Sequence, residues 1–130
     1  MRIEDLKRLR TMRQEIESKR ERIARLRSQM ERMTQMLSLA PGGGLAQTIE
    51  DQMAEYLALE EELTSAILAL EYDINCAEAA IDQLPGPEAL ILRLRYVDCL
   101  PWGKVAKETH YCRQQCFRLH RQAIDRLNGE

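Results

Sequence analysis

The chain has 130 residues, four cysteines and a formal net charge of −2. That length allows one ordinary domain, or a small domain plus an extended element, and a single Trp and a single Phe leave little for a large aromatic core. The N-terminus alternates charge where a secretory signal would be apolar, and no run approaches the roughly 20 apolar residues of a membrane span, so we expect a cytoplasmic protein with reduced thiols and no membrane contact.

The small net charge hides a strong asymmetry. Residues 1–40 carry 11 Lys/Arg against 6 Asp/Glu, residues 41–87 carry none against 10, and residues 88–130 carry 8 against 5. An acidic total therefore does not argue against a nucleic-acid partner, because the cations gather at the two ends of the chain.

Leu9, Ile16, Ile23, Met30 and Leu37 recur every seven residues. Met12, Leu26 and Met33 fill the second seam position, with Lys19 as its polar member. This is a helix-period seam over four heptads. Pro41-Gly42-Gly43-Gly44 then breaks the helix. A second seam follows, with Met53, Ile67, Ile74 and Ile81 in one row, interrupted by Glu60, and Ile49, Tyr56, Leu63, Leu70, Ala77 and Leu84 in the other. It ends at Pro85-Gly86-Pro87, which no helix should cross. Two seams of nearly equal length joined by so short a tip predict an antiparallel helical hairpin, a coiled coil over residues 1–84. Each arm should be about 55 Å long. The basic arm faces an arm without cations, which selects this pairing over self-pairing of either helix. Leu57, Leu59, Ala66 and Leu68 lie beside the second seam and suggest a further apolar stripe suited to dimerisation.

After a hinge at 85–87, residues 88–130 predict a small domain of three helices. One covers roughly Glu88–Asp98, a short one starts near Trp102 after Pro101, and the last begins near Arg113 beyond a turn at Thr109–Tyr111. Pro101 suits a helix start, having no N–H to lose. Val105 and Ala106 give the short helix an apolar anchor and a small residue for a close crossing. Trp102 should cover a core of Leu94, Val97 and Val105. In the last helix Cys116, Leu119, Ala123 and Leu127 recur at three- or four-residue spacing and should face inward. The opposite face carries Arg113, Gln114, Phe117, Arg118, Arg121 and Gln122. Arg and Gln are the residue types that read guanine and adenine edges in the major groove. The fold class expected is therefore all-α, a long helical hairpin followed by a helix-turn-helix domain.

Five segments carry a family resemblance: Leu94-Arg95-Tyr96, Leu100-Pro101-Trp102, Val105-Ala106-Lys107-Glu108, Tyr111-Cys112-Arg113, and Phe117-Arg118-Leu119-His120-Arg121-Gln122-Ala123. Together they span about a third of the chain. They resemble region 4 of sigma-70-type factors, and more closely the short phage and prophage regulators of the ArpU/RinA late-activator type. His110 stands where such turns usually carry Gly, which predicts a strained turn. Cys112 stands at the position of the usual Ser or Thr cap. The resemblance implies sequence-specific binding of double-stranded DNA in transcription. Arg113, Gln114, Phe117, Arg118 and Gln122 would contact bases, and Lys104, Lys107, Arg121 and Arg126 would contact phosphates. The hairpin would dimerise the protein or recruit a partner such as RNA polymerase, on the nucleoid of a bacterial host.

Two other readings share these features. A small-terminase-like recognition subunit for DNA packaging also joins a helix-turn-helix to a helical oligomerisation element. A protein-only module that binds RNA polymerase would use the same domain as a decoy. His110, Cys112, Cys116 and His120 have zinc-like residue types, but Cys116 falls at a core position and the spacing lacks a zinc-finger loop, so no metal is expected. No catalytic motif or phosphate loop is present, and we expect neither enzymatic activity nor a cofactor.

Overall fold

A computed structural model describes residues 1–39 and 42–129. Among them all regular structure is helical: α1 Ile3–Leu39, α2 Leu45–Ile81, α3 Gly86–Leu92, α4 Trp102–Thr109 and α5 Arg113–Gly129. α3 runs on into a π-helical turn, Arg93–Val97. No helix among the described residues is long and apolar enough to cross a membrane.

α1 and α2 each have 37 residues, matching the two seams of nearly equal length. The two long helices pack together. Arg8 pairs with Asp73, Lys19 with Glu62 and Arg22 with Glu55. Residue numbers rise along one helix as they fall along the other, so the pair is antiparallel. All three basic partners come from α1 and all three acidic ones from α2, as the charge segregation requires. The expected tip begins at Pro41, which lies outside the described residues. Gly42 and Gly43 have φ of +121° and +70°, values that a residue with a Cβ rarely adopts.

The chain divides into two compact units. One is Gln14–Leu68. Its core is Ile23, Leu26 and Leu59, with Met30, Tyr56 and Leu63 packed around them. The α1 seam is the expected one. In the second seam the row from Ile49 to Leu84 is inward as expected, and so are Ile67, Ile74 and Ile81 of the other row; only its first members differ, Met53 and Glu60 being exposed whereas Leu59 is buried and Ala66 half-buried. The reason is visible in the spacing, since Tyr56, Leu59, Leu63 and Ala66 step by three and four with no polar interruption. Glu60 is solvated, and Leu59 beside it fills the core at the point where Glu60 interrupts the row. Of the expected second stripe only Leu57 and Leu68 remain exposed.

The other unit joins Met1–Arg13 to the chain from Ala69 onward. Leu6, Leu9, Ala77 and Ile81 share one core with Ala89, Leu92, Val97, Ala123 and Leu127. This division departs from the expected boundary at 85–87. Pro85-Gly86-Pro87 is a tight corner, with Pro85 as the N-cap of α3 and Pro87 in its first turn. It does not separate two cores, because the opening turns of α1 and the last turns of α2 complete the core of α3 and α5. Two polar ties reinforce the arrangement. The Ile3 N–H donates to Asn128 Oδ1 at 3.3 Å, and the Arg13 guanidinium donates to the carbonyl of Val97.

Ile23→Asp would place a carboxylate in the core of the Gln14–Leu68 unit. The expected cost is about 3–5 kcal/mol, combining lost burial with an unpaired buried charge. Thermal unfolding followed by circular dichroism checks this, and a variant that melts like the parent chain would remove Ile23 from the core.

Candidate nucleic-acid interface

The placement of α4 follows from two left-handed residues on either side of it. The π-helical turn closes with the Asp98 N–H on Arg93 O at 2.9 Å. Cys99 then takes φ +57° and the Leu100 N–H returns to Leu94 O at 3.0 Å. Such a reversal ends a helix by satisfying its last carbonyls, and Gly usually supplies it. Pro101 restarts the chain as the N-cap of α4, its carbonyl accepting from the Lys104 and Val105 N–H groups. His110 ends α4 with φ +61° and ψ +18°, the strained non-glycine turn that the sequence leads one to expect. The Thr109 hydroxyl braces this turn, donating to Val105 O at 2.8 Å and accepting from the Tyr111 N–H at 3.3 Å.

Beneath these helices Ile91, Val105, Cys116 and Leu119 form a buried cluster, with Leu94, Leu100, Trp102, Ala106 and Tyr111 packed on it. Trp102 thus covers this core as expected, though Val97 belongs to the core shared with α1. Cys116, Leu119, Ala123 and Leu127 are all buried. The zinc-like residues do not converge. Cys116 is in the core, Cys112 is exposed, and the His120 ring is taken up by Tyr96. Among the described residues no group of three His, Cys, Asp or Glu is placed to hold a metal ion.

On α5, Arg113, Gln114, Phe117, Arg118, Arg121 and Gln122 are all exposed. At 100° per residue they occupy one side of the helix, opposite the buried row. No acidic residue occurs between Arg113 and Ile124. Lys104 and Lys107 are exposed on α4. Two members of the expected set have neighbours that the sequence did not reveal. Phe117, 46% exposed, stands edge-on to Trp102 with ring centroids 5.0 Å apart. The Arg126 Nε lies 3.0 Å from Oε2 and 3.3 Å from Oε1 of Glu88. Glu88 is only 4% exposed, so this guanidinium is its counter-charge, which sets Arg126 apart from the other cations of α4 and α5, none of which belongs to an ion pair among the described residues. No periodicity marks Glu88 as buried. It lies in the first turn of α3, which presents it to α5 only once the Pro-Gly-Pro corner has formed.

Arg113 approaches α4. A Cβ at Gly103 would sit 3.2 Å from its Nη2, so the missing side chain at 103 admits the guanidinium. Arg95 lies beneath the same region. It donates to Leu100 O at 3.0 Å and stacks over the Trp102 ring, 4.9 Å from its centroid.

Tyr96 and His120 join the π-helical turn to α5. The Tyr96 hydroxyl and His120 Nε2 are 2.6 Å apart. Burial first, then the positive charges of Arg95 and Lys7, push the imidazole below its ordinary pKa. The ring is thus neutral at pH 7, and the hydroxyl and Nε2 share one hydrogen bond. In the unfolded chain the same ring titrates near pH 6.5. The folded state resists the proton, so stability should be constant above about that pH, fall as the pH drops below it, and level off once the folded ring is also protonated. His120→Gln keeps a hydrogen-bonding amide for Tyr96 without a titrating ring. Thermal midpoints measured from pH 7.5 to 5.5 should therefore slope for the parent chain and flatten for the variant, and identical profiles would remove His120 as the titrating group.

No protein-family model, curated protein or solved structure matches this chain.

Proposed function

We propose that the protein is a sequence-specific DNA-binding regulator of transcription, of the phage or prophage type implied by the resemblance of its C-terminal third. In this reading α4 and α5 are the two helices of a helix-turn-helix, and α5 lies in the major groove. The observation that carries it is the exposed side of α5, where three Arg, two Gln and a Phe share one face without a carboxylate, opposite the buried row. A merely solvated helix would interleave acids there, as α1 does with Glu15, Glu17, Glu21 and Glu31.

Arg113, Gln114 and Arg118 project from the first turns of α5, which enter the groove first, and they read base edges. Gln122 continues that row, and Phe117 adds an apolar contact for a thymine methyl. Lys104, Lys107 and Arg121 flank the row and hold the phosphate backbone. Arg126 contributes through whatever part of its guanidinium Glu88 leaves free. The two long helices form a hairpin coiled coil that serves dimerisation or recruitment of RNA polymerase, with Leu57 and Leu68 among its exposed apolar side chains.

The two roles have different signatures. Arg113→Ala should cost about 1–3 kcal/mol and relax the preference at one base pair. Lys107→Ala should weaken binding to all sequences alike and reduce the salt slope by about one unit. A selection from random duplexes, followed by titrations of each variant over a salt series, measures both. Uniform loss in both variants with unchanged base preference would exclude direct readout by α5.

A further inference from the structure

Lys7 and Arg10 of α1 meet Arg95 and Tyr96 of the π-helical turn and Cys99 of the following reversal around a cavity of about 200 Å³. Three of these five residues are cations, from two separate parts of the chain, and no carboxylate lines the space. Among the described residues neither Lys7 nor Arg10 belongs to an ion pair. Gathering like charges costs free energy unless an anion compensates them. The arrangement is nevertheless held from three sides. Leu6 and Leu9, both buried, fix the first turns of α1, and Lys7 and Arg10 are neighbours one helical turn apart. Arg95 is fixed by the carbonyl of Leu100 and the ring of Trp102. The positive field of Arg95 and Lys7 also reaches His120.

The cavity adjoins the exposed face of α5 through two packed side chains. Arg95 stacks on Trp102, and Trp102 meets Phe117. We propose that Lys7, Arg10 and Arg95 form a phosphate-binding site that takes a phosphodiester of duplex DNA beside the bases read by α5. The source of that phosphate rests on the DNA-binding reading above; the oxyanion chemistry of the site rests on the three cations alone. Fork-shaped guanidinium groups and a point-charge ammonium are the side chains that hold a tetrahedral oxyanion. The site extends the DNA-binding surface onto α1, which the C-terminal resemblance does not cover.

The double variant Lys7→Gln/Arg10→Gln tests it, because both side chains are exposed and circular dichroism can confirm the parent melting profile. One arm titrates mixed-sequence duplex by fluorescence anisotropy over a salt series. The other titrates inorganic phosphate against chloride at constant ionic strength, following the backbone amide signals of residues 95–99. The variant should bind duplex about tenfold more weakly with a salt slope lower by about one unit, and phosphate should shift those amides saturably in the parent chain only. Unchanged duplex affinity and slope in the variant would overturn the proposal. If the parent chain bound no duplex at low salt, the DNA-binding reading would fail instead. Phosphate-specific shifts lost in the variant would then keep the site with free phosphate as its ligand, and their absence would overturn the site as well.

Discussion

The burial of Leu6 and Leu9 against the last turns of α5 is the constraint on which the C-terminal half depends. Both leucines are fully buried, and they share a core with Ile81, Leu92, Ala123 and Leu127. Burying a leucine is worth about 1.5–3 kcal/mol, so these two side chains alone rival much of the net stability of a small domain. Residues 88–129 by themselves would expose the face of α5 that carries Ala123 and Leu127. The opening turns of α1 and the last turns of α2 are therefore part of the core beneath α3 and α5, rather than a handle attached through a proline hinge. Ile3 and Arg13 tie the same junction with hydrogen bonds to Asn128 and to the carbonyl of Val97.

On that base α4 is set by backbone geometry at both its ends as well as by the packing of Val105, Trp102 and Ala106. A widened π-helical turn, a left-handed Cys99 and a left-handed His110 enclose an eight-residue helix. Each non-glycine left-handed residue costs about 1–2 kcal/mol, and surrounding contacts must hold it. Those contacts are specific: the Leu100 N–H on Leu94 O, the Thr109 hydroxyl under the turn, and Arg95 against both Leu100 and Trp102. Strain of this kind clusters where a fold must present side chains in a set direction. Here it directs α4 and the start of α5, which carry the exposed Lys, Arg and Gln residues.

The charges sort into those that assemble the chain and those left over. Arg8, Lys19 and Arg22 meet carboxylates of α2. These pairs are largely exposed, so each contributes only a few tenths of a kcal/mol, and their value is in selecting the partner helix. Arg126 offsets the buried charge of Glu88. Lys7, Arg10, Lys104, Lys107, Arg113, Arg118 and Arg121 take no part in an ion pair among the described residues. A chain of net charge −2 thereby keeps a cationic surface on the unit that contains α4 and α5, because its surplus of acid is concentrated on α2.

Much of this was determined by the sequence itself, because periodicity and helix breakers act locally. The seam of α1, the inward row Cys116, Leu119, Ala123 and Leu127, the start of α4 at Pro101 and the strained turn at His110 all follow from residue spacing and backbone chemistry. So does the exposed row of α5, since burying one side of a helix leaves the other to solvent. What spacing left ambiguous, packing decided. Leu59 and Glu60 offered two adjacent rows, and only contact with α1 put Leu59 inside. Pro85-Gly86-Pro87 announces a break but not whether a separate core lies beyond it, and the shared core of Leu6, Leu9, Ala123 and Leu127 joins segments more than a hundred residues apart. The pairing of Glu88 with Arg126, the bond from Tyr96 to His120 and the meeting of Lys7 and Arg10 with Arg95 have no sequence signature. They join residues that only the tertiary fold makes neighbours, and pattern within one helix carries no information about which other helix its exposed side will meet.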